Sequence, residues 1–111
     1  MNDCIFCRSI AGDIPSERVY EDDKMIVIRD VAPAAPVHVL MIPKAHTENI
    51  ITAEPELLLY MFGKVKELAE KLGVNEKGFR IVANTGDDGG QTVKHLHIHL
   101  LGGKALGWPP C

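Results

Sequence analysis

The sequence predicts an α+β fold: an antiparallel sheet of about five strands, with a short N-terminal helix and one long helix. Three observations carry this. Apolar residues alternate with polar ones over residues 79–84 and 95–101, the period of a strand with one buried face. Residues 37–42 are apolar in both phases, as a central strand requires. Residues 55–72 instead repeat apolar side chains at helical spacing.

The elements follow in order. Residues 4–11 read as a short helix, stopped by Gly12-Asp13-Ile14-Pro15. Residues 18–21 and 24–29 read as two strands joined at Asp22-Asp23. Pro33 and Pro36 mark a loop, because proline supplies no donor to a ladder, and Pro43 ends the third strand. In the long helix Leu58, Met61, Phe62, Val65, Leu68, Ala69 and Leu72 form the apolar stripe, read as a core face. Lys64, Lys66, Glu67, Glu70 and Lys71 lie largely opposite. Pro55 suits a first turn and Gly73 a C-terminal cap. A fourth strand over 79–84, a loop over 85–91 and a histidine-bearing strand complete the order, which places the helices on one side of the sheet. No internal repeat or domain boundary is visible, so 111 residues are read as one domain, 1–111.

Composition narrows the partners. The formal charge is −3 and no extended basic run occurs, so wrapping long nucleic acid is not expected, whereas one nucleotide needs only a pocket. The start, Met1-Asn2-Asp3-Cys4, lacks the pattern of a signal peptide. The longest apolar run, 37–42, is broken by His38 and too short to span a bilayer. The expectation is a soluble cytoplasmic protein without membrane contact. Its three cysteines are then reduced, and Cys111 is read as a surface thiol without a role.

Three of the five histidines sit in His95-Leu96-His97-Ile98-His99. On an extended chain Leu96, Ile98 and Leu100 face the core and the imidazoles the other way, roughly 6–7 Å apart. Imidazole can serve as nucleophile, proton carrier or metal ligand near neutral pH. A histidine attacking phosphorus needs one nitrogen unprotonated, a bond orienting the other, and donors around the phosphate oxygens. His97, flanked on both sides, is the best-placed nucleophile, with His99 toward phosphate or leaving group; a metal-binding face without catalysis is the alternative. Gly86, Gly89 and Gly90, followed by Gln91 and Thr92, would set backbone N–H groups ahead of the histidines, as an anion-binding concavity or an ordinary loop. The P-loop ending is missing. Cys4-x-x-Cys7 has the spacing of half a zinc site, for which only histidines remain as further ligands; a redox pair or chance spacing are the other readings.

Together these residues resemble the histidine triad (HIT) family, most closely its Hint-type nucleotide-binding branch of purine nucleoside phosphoramidases. The resemblance runs over nearly the whole chain: the triad, the Gly-Asp-Ile-Pro turn, Asp30 ahead of a proline loop, His38 in an apolar strand, Ile42-Pro43-Lys44-Ala45-His46, Asn84, Gly89-Gly90-Gln91-Thr92-Val93 and Trp108-Pro109-Pro110. It implies a HIT-like fold and a hydrolase that cleaves the P–N bond of a purine nucleoside phosphoramidate through a covalent nucleotidyl-histidine. A dinucleoside polyphosphate hydrolase of the Fhit type and a nucleotide-binding regulatory or scaffold protein with weak activity are the alternatives. A nucleotidyl transferase fits less well, since that branch replaces the last histidine and His99 is present. In catalysis the resemblance implies His97 as nucleophile, His99 on phosphate and leaving group, His38 as a buried partner of the nucleophile, and Thr92 where many relatives carry serine.

For nucleotide binding it implies Asp30 on the ribose, Asn84, Gln91, Thr92, Val93 and His99 on the phosphate side, and Ile5, Phe6, Ile14, Ile28, Val31 and Leu40 around the purine. Trp108 is implied to reach a partner's site, with local packing the alternative. The resemblance further implies structural Zn²⁺ on Cys4, Cys7, His46 and His95, and a homodimer with the sheet continued across it and the long helices packed together. Zinc demands one irregularity. Strict alternation aims all three imidazoles alike, so the chain must bend at His95 if that side chain joins the cysteines.

Overall fold

The computed structural model describes residues 4–110; Cys111 and the Met1-Asn2-Asp3 start lie outside the described residues. Cys4 caps helix α1 (Ile5–Ala11), its Sγ accepting from Cys7 N–H, and Gly12 closes the helix at φ +87°, where only glycine is unstrained. Strands β1 (Arg18–Glu21), β2 (Met25–Arg29) and β3 (Val37–Pro43) follow, then α2 (Pro55–Gly63), α3 (Val65–Leu72), β4 (Phe79–Val82) and β5 (Ile98–Gly102). All neighbours pair antiparallel in the order β1-β2-β3-β5-β4. This is the α+β architecture the sequence predicts, with β3 central.

Three details differ from expectation. The long helix runs as two segments, because Lys64 departs from helical ψ (φ −90°, ψ −7°) and its N–H bonds back three residues to Met61. Phe62, assigned to the core stripe, is 47% exposed, and Leu59 beside it 75%. The helices also do not share one side. On one face α2 and α3 set Met61, Leu68 and Ala69 against Met25, Val27, Val39, Met41, Ile98 and Leu100. On the other, α1 sets Phe6 against Ile26, Ile28, Leu40 and Ile42. β2 and β3 are apolar in both phases, so each face needs a cover, and α1 is the second one.

Asp22 ties the hairpin to α2. Its Oδ1 accepts from Lys24 and Met25 N–H at 2.8 and 2.9 Å, and its Oδ2 from Tyr20 Oη at 2.8 Å and from Tyr60 Oη. Burial alone would raise the carboxyl, but these four donors hold it well below the usual carboxylate range. Asp22→Ala is expected to cost about 2–3 kcal/mol, since it orphans donors in β1, β2, α2 and the turn between the two strands. Urea unfolding checks this, and a loss below 0.5 kcal/mol, roughly the size of an ordinary surface substitution, would refute it.

Candidate active site and metal cluster

β3 and β5 present their α1-side faces as one surface. Their register sets His38 opposite Leu101 and Leu40 opposite His99, so His38 and His99 are diagonal neighbours. The histidine stretch is strand only from Ile98. Ahead of it the chain bends over residues 93–95, and Leu96 N–H bonds to Thr47 O at 2.7 Å, outside the sheet. The expectation of strict alternation from His95 is thereby corrected: the chain bends there before the strand begins. Leu96, Ile98 and Leu100 are buried in the α2–α3 core, as expected.

The hydrogen bonds assign the imidazole protons. Ala34 N–H donates to His38 Nδ1 at 3.0 Å, so the His38 proton sits on Nε2. Nε2–H donates to His99 Nδ1 at 2.9 Å, which leaves the His99 proton on its own Nε2 as an outward donor. Asp30 Oδ2 lies 3.4 Å from His38 Nε2. His38, buried as expected, thus bonds to His99 and reaches His97 only through it. His97 Nδ1–H donates to His95 O at 2.7 Å, so His97 Nε2 carries the lone pair and has no protein partner among the described residues. The two rings lie 5.1 Å apart.

Burial, then the charge of His97 and His38, push His99 down to about 4 against the weaker opposing pull of Asp30. His99 is therefore a neutral donor at physiological pH. In the unfolded chain it titrates near 6.5, so between about 6.5 and 4 the unfolded state binds more protons and stability falls as pH falls. Unfolding free energy measured from pH 7 to 4.5 should drop more steeply in the wild type than in His99→Asn. Equal slopes would remove this assignment.

A slot of about 280 Å³ opens beside these rings, near the lower end of the roughly 300–1,000 Å³ range of small-molecule sites. It gathers Ile5, Phe6, Ile14, Ile28, Val31 and Leu40 with Asp30, Thr92, Val93, His97 and His99. Val31 stands at the mouth, fully exposed. The Thr92 hydroxyl and the Thr92 and Val93 N–H groups have no protein partner among the described residues, which leaves three donors beside the imidazoles. A larger groove of about 580 Å³ runs beside His46, Lys44 and Tyr60 but does not include His38, His97 or His99.

Gln91, Asn84 and Trp108 stand outside the lining of the slot. Gln91 Nε2 donates to Glu48 O at 2.6 Å and Val93 O at 3.1 Å, and its Oε1 accepts from Gly86 N–H at 2.9 Å and Asn49 Nδ2 at 3.4 Å. Its carboxamide staples the glycine loop. Asn84 Nδ2 donates to Gly89 O at 2.7 Å and closes the same loop from its other end. Gly89 admits no side chain, because a Cβ would stand 2.5 Å from Thr85 O. Trp108 is 83% exposed and outside the slot. Gln91→Ala should cost about 1–3 kcal/mol and speed amide exchange at Gly86; unchanged protection at Gly86 would contradict the staple.

Ser9, Ser16 and Arg29 also line the slot without a site role predicted from the sequence, and so does Pro15, read there only as part of a turn. Ser9 was legible, since it follows Ile5 at i+4 on the helix. Ser16, whose buried hydroxyl has no partner among the described residues, follows a turn and has no periodic signal.

Across α1 from the slot, Cys4, Cys7, His46 and His95 place their ligand atoms within 4.8 Å of one another, a group that could hold a metal ion. Cys4 Sγ lies 3.3 Å from His95 Nδ1, and Cys7 Sγ 3.2 Å from His46 Nδ1 and 3.5 Å from His95 Nδ1. Tetrahedral zinc with its usual bond lengths sets such S···N edges near about 3.5 Å, so the residues fit that ion. His95 Nε2 lies 2.8 Å from Pro43 O, which places the proton there and leaves Nδ1 for a metal. Burial holds the fully buried His95 below the usual histidine range, favouring the neutral form a ligand needs. Asp30, His38 and His99 form a second close group. Ala34 excludes it as a metal site in this arrangement: a metal on His38 Nε2 would require that ring to lose both protons.

A family model described as the HIT domain matches residues 11–106. An uncharacterized HIT-like protein of Synechococcus elongatus is 53% identical over 111 residues, 97% of this chain and 96% of that one. Protein HitA of Neisseria gonorrhoeae is 48% identical over 105 residues, 92% and 97% of the two chains. Among solved structures, a HIT family hydrolase from Legionella pneumophila superposes with a TM-score of 0.94 at 42% identity, covering 98% of this chain and 100% of that one. A histidine triad nucleotide-binding protein from Candida albicans superposes with a TM-score of 0.85 at 34% identity, covering 96% and 83%.

Proposed function

The chain belongs to the HIT family, and from that premise we propose that it hydrolyses purine nucleoside phosphoramidates, using His97 as the nucleophile on phosphorus. The hydrolase and nucleotide-binding descriptions of the Legionella and Candida proteins support the class. The observation that carries the reading is the His97 bond to the His95 carbonyl, which leaves Nε2 unprotonated at the slot beside a neutral His99 N–H donor.

His97 Nε2 attacks the α-phosphorus; its N–P bond forms as the P–N bond to the amine breaks, and the amine takes up a proton as it departs. Water then attacks phosphorus, the histidine–phosphorus bond breaks, and the proton that water loses replaces the one taken by the amine. His99 Nε2–H and the Thr92 and Val93 donors stabilise the charge on the phosphoryl oxygens. Ile5, Phe6, Ile14, Ile28, Val31 and Leu40 hold the purine, and Asp30 the ribose hydroxyls. A side-by-side assay of adenosine monophosphate joined to an amine through P–N, against a diadenosine polyphosphate, tests the choice. Faster cleavage of the diadenosine compound would replace this reading with the Fhit-type one.

The same reading places structural zinc on Cys4, Cys7, His46 and His95, where it would clamp α1 to the start of the histidine stretch. Such thiolates persist in a reducing compartment, which supports a cytoplasmic setting. A homodimer is supported by exposed Leu59 and Phe62 on α2 and by the open outer edge of β4. One catalytic domain over 1–111 belongs to the same reading. No helix among the described residues is long and apolar enough to cross a membrane.

A further inference from the structure

Two segments each carry both a metal-cluster ligand and a part of the slot. Helix α1 holds Cys4 and Cys7 at its N-terminal end while Ile5, Phe6 and Ser9 line the slot. A helix of seven residues is not stable by itself, so outside anchors fix its position. Arg18 Nη2 holds the C-terminal end through the Ser9 and Ile10 carbonyls at 2.6 and 3.2 Å, and the cluster stands at the other end. The second segment is the bend at His95. Its imidazole stands in the cluster, and its carbonyl, 2.7 Å from His97 Nδ1, sets the direction of the His97 ring. Phe6 packs between the two, its ring centroid 6.0 Å from His95 and 4.9 Å from His97.

We propose that zinc in this cluster positions the nucleotide slot, with His95 and α1 as positioning elements, so that zinc and nucleotide strengthen each other's binding. Metal ligation fixes Cys4, Cys7 and His95 relative to one another. Through α1 it sets the distance of Ile5 and Phe6 from the sheet, and through the His95 carbonyl it holds His97 in one tautomer and one orientation. Without the ion the N-terminal end of α1 loses one of its fixed points, and the slot must be re-formed when nucleotide enters. Because coupling between two binding events is reciprocal, nucleotide tightens zinc by the same factor. The inference rests on reading the slot as a nucleotide site and the cluster as a zinc site.

The test uses the full chain, zinc ions and adenosine monophosphate. Calorimetry on zinc-loaded chain, on zinc-stripped chain that keeps its sheet by circular dichroism, and on His46→Asn without zinc gives three nucleotide affinities. His46 is exposed and outside the slot, so that variant removes a ligand without altering the slot residues. The expected result is a Kd about tenfold weaker without zinc, and zinc binding about tenfold tighter at saturating nucleotide. Nitrogen-15 spectra of the His97 imidazole, which need no nucleotide, should show one fixed tautomer with zinc and an averaged one without. Equal nucleotide affinities together with identical His97 spectra overturn the proposal. A loaded chain that binds no nucleotide, yet whose His97 spectrum responds to zinc, overturns the nucleotide reading alone and upholds the positioning of His97. A chain that takes up no zinc overturns both the zinc reading and the coupling.

Discussion

His97→Ala is expected to lower phosphoramidate turnover on the order of 10⁴-fold or more, because it removes the atom that bonds to phosphorus. Nucleotide affinity should stay within about fivefold, since the apolar slot, Asp30 and the Thr92–Val93 donors remain. The fold should survive as well: the substitution deletes one ring that is bonded to a single carbonyl, a loss of about 1–2 kcal/mol. Steady-state rates, nucleotide titration and thermal melting on one preparation separate the three quantities. Hydrolysis retained at the wild-type rate would remove His97 from the mechanism. A variant that loses nucleotide binding in proportion to its rate would instead assign the ring to the slot wall.

Removal of the proposed zinc is expected to have the second large effect. If zinc binds only the folded chain and is present at about a thousand times its Kd, chelation lowers stability by about 4 kcal/mol. For a chain of this size that corresponds to a melting temperature lower by on the order of 15 °C. Added zinc should restore the wild type and fail to restore Cys4→Ser with Cys7→Ser, which keeps the size of the side chains and loses the thiolates. Metal analysis of protein purified without chelator provides the direct check. Absence of bound zinc there, or a melting temperature indifferent to chelator, would reject the assignment.

The readable parts of this molecule are those written in local periodicity. The two-phase apolar run over 37–42 could only be a central strand, and β3 is central. The alternation of Leu96, Ile98 and Leu100 with the imidazoles assigns those three aliphatic side chains to the core, where they are buried. The same pattern could not show where the strand begins. His95 is drawn off the alternation by partners 91 and 52 residues away, Cys4 and Pro43. Phe62 was misplaced because a helical stripe wide enough for a core also extends past its edge into solvent. Gln91 is implied on the phosphate side by the resemblance to the family. Its bonds to Glu48 and Asn49 come from a turn that no spacing rule connects to it.

By itself the sequence determined the strands of the sheet, the burial of Leu96, Ile98 and Leu100 on its core face, and the set of residue types available for chemistry. Side-chain period and turn residues are properties of a few neighbouring positions, so a linear reading reaches them. The tertiary structure alone decided that His38 serves His99, that α1 covers the face opposite the long helix, and that Thr92 and Val93 keep their donors while Gln91 gives up its own. It also decided that His95 faces the cysteines with its ring and His97 with its carbonyl. Each depends on which hydrogen-bonding atoms meet across the fold. A proton's place on an imidazole is set by the donor that reaches the other nitrogen, here from residues far apart in the chain.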